Sequence, residues 1–191
     1  MKIFSLLSNK ITDFLYKKEV ISQEQKEVYI YGFTVLFLNI LDILIILALG
    51  ILIERYLDTI VFLMVFGITR QYTGGYHAKT VSKCLVVYML IYLVIMFLSS
   101  SNIILVNGAM FQILLCIVYI IAVIIYAPIQ NDNKVISNVE RKKYKIISIV
   151  SAICISTISV IVYGIFPTMA ITISLTLFAV TILMILVVIR K

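Results

Sequence analysis

Arg70-Gln71-Tyr72-Thr73-Gly74-Gly75-Tyr76-His77-Ala78-Lys79-Thr80-Val81-Ser82-Lys83-Cys84 is the polar interruption on which the reading of this chain turns. Residues 59–69 precede it and residues 84–98 follow it, 11 and 15 positions without a charge. A membrane crossing needs about 20 apolar residues, less where the bilayer thins. Whether these two short runs cross therefore decides the topology. Four longer runs surround them, at 28–53, 103–129, 146–166 and 168–189.

Composition limits what such a chain can be. Of 191 residues 63% are apolar and 13% charged, and mean hydropathy is +1.15. A chain this short has too little interior to hide that much apolar surface in water. A soluble enzyme is excluded, and with only 2 Pro and 7 Gly so is a disordered or fibrous protein. The expectation is an all-α polytopic membrane protein of about six transmembrane helices, one or two of them short. Residues 1–191 form one domain, an amphipathic N-terminal segment at 1–26 and a helical bundle at 28–189.

Basic residues test that topology. If the N-terminus is cytoplasmic and all six runs cross, segments 1–27, 70–83, 130–145 and 190–191 lie inside with 5, 3, 5 and 2 Lys and Arg, and Arg55 alone lies outside. Such a bias is the positive-inside signature, and removing run 59–69 as a crossing would destroy it. Both termini and the polar stretch are therefore expected in the cytoplasm. The net charge of +7 points to the anionic leaflet of the lipid bilayer and not to nucleic acid. At the N-terminus, Ile3, Phe4, Leu7, Ile11, Phe14 and Leu15 fall at helical spacing with Lys10, Asp13 and Lys17 mostly opposite. This predicts a helix lying in the membrane interface; packing on the protein itself is the alternative. Ser22-Gln23-Glu24-Gln25 fits a capping box that starts the next helix. No cleavable signal is expected, because the first apolar run is too short.

The polar stretch holds the only histidine and the one cysteine beside polar sequence. Cys116 and Cys154 sit in apolar runs and read as inert packing residues. A cysteine near a histidine suggests a thiolate with an imidazole base. On one continuous helix His77 and Cys84 would stand roughly 10 Å apart along the axis, so the pair works only if His77 lies on a loop folded back over the next helix. Thr80 is a candidate N-cap, which places Cys84 in or just after the first turn. A helix N-terminus, Lys79 and Lys83 favour thiolate there, and backbone N–H groups could hold an oxyanion. Arg70 is a candidate anion contact. A plainer reading stays open on residues alone: His77 at the headgroups, Cys84 buried, Gly-Gly a turn. Ser82 is a weaker nucleophile, and a single histidine argues against a metal site; no cofactor is expected.

The motif resembles that of the accessory gene regulator B (AgrB) family of membrane peptidases. The resemblance rests on Arg70, Thr73-Gly74-Gly75-Tyr76-His77-Ala78, Thr80 and Cys84, and extends along the whole chain in length and layout. It implies His77 and Cys84 as the catalytic pair, with Arg70 and Gly75 at positions important for activity. It also implies the substrate, an AgrD-like propeptide with amphipathic leader, central core and acidic tail, and raises a homodimer as an expectation. The implied reaction is cysteine endopeptidase cleavage of the tail through an acyl-enzyme thioester, followed by cyclisation to a (thio)lactone quorum-sensing peptide. The competing reading is a small peptide exporter or channel gated by the polar stretch.

Other residues carry weaker expectations. Gln71 and Asp132 are candidates for orienting His77. Lys134, Arg141, Lys142, Lys143 and Lys145 fall in a loop at 130–145, set there by topology and able to attract an acidic tail. Asp42 lies mid-run, where a carboxylate is a functional suspect. Its position places it far from a cytoplasmic site, so a structural hydrogen bond is expected.

Overall fold

The computed structural model describes residues 2–75, 81–101, 108–129 and 137–189. Every regular element among them is helical: α1 (Lys2–Lys17), α2 (Lys26–Leu52), α3 (Tyr56–Thr73), α4 (Val81–Ser99), α5 (Gly108–Tyr126), α6 (Asn138–Tyr163) and α7 (Pro167–Ile189), with a 3-10 turn at Gln23–Gln25 before α2. The protein is an all-α, multi-pass membrane protein.

α7 is the axis of the bundle. It packs on α3, α4, α5 and α6, and among the long apolar helices it is the most buried while α2 is the least. Helical spacing divides its faces. Ile173, Leu177, Val180 and Met184 meet Val65 of α3, Tyr119 and Val123 of α5 and Ala152 of α6. Ile171 and Leu175 meet Ile46 of α2, Phe62 of α3, Tyr92 and Ile95 of α4 and Leu115 of α5. Buried Thr172, Thr176 and Thr181 return their hydroxyls to their own helix carbonyls four residues back, so polar side chains are tolerated in an apolar core.

α1 folds back antiparallel on the first half of α2. The Phe4 and Phe37 rings stack at 6.5 Å, the Thr34 hydroxyl donates to Ser8 at 2.9 Å, and Lys26 pairs with Asp13 at 2.6 Å. Ser8 and Thr12 are fully buried on that seam, where small side chains let the two helices approach. Leu6, Leu7 and Phe14 remain exposed on the outer face. The helix thus packs on the protein itself, the alternative that the sequence leaves open.

α3 and α4 form an antiparallel pair joined through aromatic rings and not through close backbone approach. Phe62 meets Tyr92 at 5.3 Å and Tyr88 at 5.5 Å, and Phe66 meets Tyr88 at 4.8 Å. At the far end Arg55 clamps the pair. It binds Asp58 at 2.9 Å and donates to the Met96 carbonyl and the Ser99 hydroxyl at the end of α4. This accounts for the single basic residue outside the four basic segments, since Arg55 is neutralised and caps a helix C-terminus.

Three expectations are corrected. Among the described residues four helices, not six, are long and apolar enough to cross a membrane: Gln23–Leu52, Gly108–Tyr126, Val139–Tyr163 and Pro167–Ile189. α4 offers only the shorter apolar stretch Cys84–Ser99. α3 draws in polar flanks at both ends, which makes it about 27 Å long but places Asp58 and Arg70 within it. The loop expected at 130–145 is shorter, because α6 begins at Asn138. Ser137 and Glu140 form a capping box there, the Ser137 amide donating to Glu140 Oε2 at 3.0 Å. The capping box at Ser22 is as the sequence indicates, with the Ser22 amide donating to Gln25 Oε1 at 3.0 Å.

Candidate active site

The site grows out of the α3–α4 register. Phe62 faces Tyr92, Phe66 faces Tyr88, and one further turn of each helix brings Arg70 opposite Cys84. Arg70 and Cys84 line one cavity of about 330 Å³ and interact electrostatically. Cys84 is half-buried in the first turn of α4, which starts at Val81, where the helix end favours a negative charge.

The end of α3 explains how Arg70 is held. Thr69 and Thr73 are buried and bond back to the carbonyls of Val65 and Thr69 at 2.6 and 2.9 Å. Arg70 curls over the helix end and donates from Nη1 to the Gly74 carbonyl at 3.1 Å. Its guanidinium lies 5.9 Å from the Phe66 ring centre, within reach of a cation–π attraction. Gly74 and Gly75 have φ of 72° and 131°, a region in which only glycine is unstrained. A Cβ on Gly74 would strike the Ile129 carbonyl, and one on Gly75 would strike the Arg70 guanidinium. Ile129 closes the turn from the other side, its amide donating to the Thr73 carbonyl at 2.9 Å. The Gly-Gly pair is therefore the seat on which the guanidinium rests.

The rest of the cavity is mostly apolar, with Phe66, Val87, Tyr88, Ile91 and Leu183 in its wall. Its α2 side is not. Asn39 and Asp42 face into it, and Asp42 Oδ1 is enclosed without a hydrogen-bond partner. The expectation for Asp42 is corrected on both counts. It shares the cavity with Cys84 because the cavity runs two turns along α4, and no structural hydrogen bond holds this oxygen.

His77, Thr80, Lys134 and Asp132 lie outside the described residues, as do the side chains of Ser82 and Lys83. Gln71 is exposed on the last turn of α3 and is not part of the cavity wall. Arg141, Lys142 and Lys143 are exposed on the first turns of α6, next to the end of α3, where Tyr72 and Tyr144 meet at 6.1 Å. Lys145 instead caps α5, donating to the Val123 and Ile124 carbonyls. Cys116 is buried in the core, and Cys154 faces outward from α6. Among the described residues no group of His, Cys, Asp and Glu side chains converges to hold a metal ion.

A helical bundle in which a cysteine and an arginine from two short helices line one cavity is a small polytopic membrane protein with a candidate site at the turn between those helices. The chain belongs to the Accessory gene regulator B family, whose profile matches residues 8–189. It is 28% identical over 143 residues to an AgrB-like protein of Clostridium perfringens SM101, type A, covering 72% of this chain and 66% of that one. It is 27% identical over 124 residues to a second AgrB-like protein from Clostridium perfringens strain 13, type A, covering 63% and 58%. The match thus spans less than two thirds of either relative. No solved structure matches the chain.

Proposed function

We propose that the protein is a membrane cysteine endopeptidase that removes the C-terminal tail of an AgrD-like propeptide and promotes cyclisation of the signal core. The observation that supports this most is the convergence of Cys84 and Arg70 on one cavity, with Gly75 leaving room for the guanidinium. His77 takes the Cys84 proton, and the thiolate attacks the carbonyl carbon of the bond before the tail. The tetrahedral intermediate collapses to a thioester as the tail amine leaves with the proton from His77. A Cys or Ser of the core then attacks the thioester, and Cys84 leaves as thiolate, giving a thiolactone or lactone. Thioester exchange to a thiolactone is close to isoenergetic and needs no nucleotide. Arg70 holds negative charge on the thiolate or the oxyanion. The apolar wall limits water, which competes for the thioester. Arg141, Lys142 and Lys143, with Lys134, attract the acidic tail. The termini and the site face the cytoplasm, and the bundle works as a homodimer in the bilayer.

The test is processing of the propeptide by membranes carrying wild type, Cys84→Ser, Cys84→Ala or His77→Ala. Both alanine variants are expected to lose cleavage with normal membrane levels. Undiminished cleavage by both would falsify the catalytic assignment.

A further inference from the structure

A carboxylate in the middle of a membrane-spanning helix is expensive unless something meets it. In α2 the Thr34 hydroxyl is used, bonded to Ser8 and to the Ile30 carbonyl. Asn39 and Asp42 differ: one turn apart on the same helix, they face the cavity that holds Cys84 and Arg70. Asp42 Oδ1 is fully enclosed and accepts no hydrogen bond. Tyr88, across the cavity, lies close enough to feel its charge. A carboxylate that lines a cavity with one oxygen unmatched within the fold marks a place where a donor from outside the fold is to be received.

We propose that Asp42, with Asn39 one turn before it, is the wall that holds the substrate backbone against Cys84. This rests on the cysteine-peptidase reading above. An extended peptide presents N–H and C=O groups that must each be matched once it leaves water. The Asp42 carboxylate accepts the N–H of the peptide unit beside the scissile carbonyl, and Asn39, both donor and acceptor, pairs with the next unit. Arg70 and Cys84 then take the carbonyl side. The apolar wall of Ile43, Val87 and Ile91 receives an apolar side chain of the same peptide. Asp42 is thus a substrate contact and has no part in the packing of the bundle.

Stability separates the two roles. If Asp42 serves only substrate, removing an unmatched buried carboxylate leaves the fold as stable or more so. Asp42→Leu and Asp42→Asn are to be compared with wild type for propeptide cleavage, for thermal unfolding in detergent, and for the rate at which a maleimide alkylates Cys84. Asp42→Leu is expected to cleave at least tenfold more slowly, with unchanged or raised Tm and alkylation within twofold of wild type. Asp42→Asn, which keeps an acceptor oxygen, is expected to fall between the two. In the Cys84→Ala background, wild-type Asp42 captures the propeptide and Asp42→Leu does not. Wild-type cleavage by Asp42→Leu overturns the proposal, and so does a loss of cleavage that tracks lower Tm and altered alkylation. Continued cleavage by Cys84→Ala with normal Asp42 defeats the peptidase reading instead, and the capture arm still reports on Asp42.

Discussion

A methyl group on Gly75 would enter the space of the Arg70 guanidinium, at a φ of 131° that L side chains avoid. Gly75→Ala is therefore expected to displace the arginine and not to unfold the bundle. Processing should fall at least about tenfold, since strain and a lost charge contact together amount to about 1–3 kcal/mol. Membrane levels should stay normal; cleavage at the wild-type rate would show that the glycine merely turns the chain. The basic residues at the start of α6 divide in the same way. Lys145 is committed to the end of α5, so Lys145→Met should cost about 1 kcal/mol of stability and leave the affinity for propeptide unchanged. Neutralising Arg141, Lys142 and Lys143 together should do the reverse, raising KM several-fold at low salt with less effect at high salt. Normal processing with correct topology would remove them from substrate capture.

Between elements, the aromatic ladder sets the site. Phe62 and Phe66 on α3 interleave with Tyr88 and Tyr92 on α4, and the next rung is Arg70 and Cys84. Phe66→Leu keeps an apolar filler but removes the ring under the guanidinium, so it should slow processing and change the rate of Cys84 alkylation while Tm falls little. Phe62 is fully buried, and Phe62→Ala should cost about 3–5 kcal/mol, read as a lower Tm. The four-residue spacing of Phe62, Phe66 and Arg70, and of Cys84, Tyr88 and Tyr92, is present in the sequence. It could have paired Arg70 with Cys84 without the motif. It was not legible as a register, because spacing fixes a face and not the face it meets. Asp42 was misread for a similar reason: distance along a run says nothing about how far a cavity extends down a neighbouring helix. The early start of α6 is legible in Ser137 and Glu140, which carry the same signature as Ser22 and Gln25, but the helix begins in polar sequence ahead of its apolar run.

At the scale of the molecule, composition was enough to name an all-α membrane protein, because 63% apolar residues leave no aqueous alternative. The number of full crossings was not, since α3 carries its polar ends inside the helix. The positive-inside argument can be checked directly. In a background lacking Cys84, Cys116 and Cys154, Ser101→Cys should react with an impermeant maleimide in intact cells, and Val139→Cys only after permeabilisation. The opposite pattern would invert the topology, and reaction of both from outside would deny that α3 and α4 together return the chain.

The central place of α7 has a consequence for how the protein is made. Like α3 and α5, α7 contributes to both halves of the core, and it follows the other described helices in the chain. Until residues 167–189 leave the ribosome, α3, α4, α5 and α6 have no common partner, and the cavity lacks Leu183. Until then the earlier helices are held only by the contacts they make among themselves, including α1 on α2, α2 on α3, α3 on α6 and α5 on α6. The cavity that holds Cys84 and Arg70 is therefore walled on all its sides only once α7 has joined the bundle.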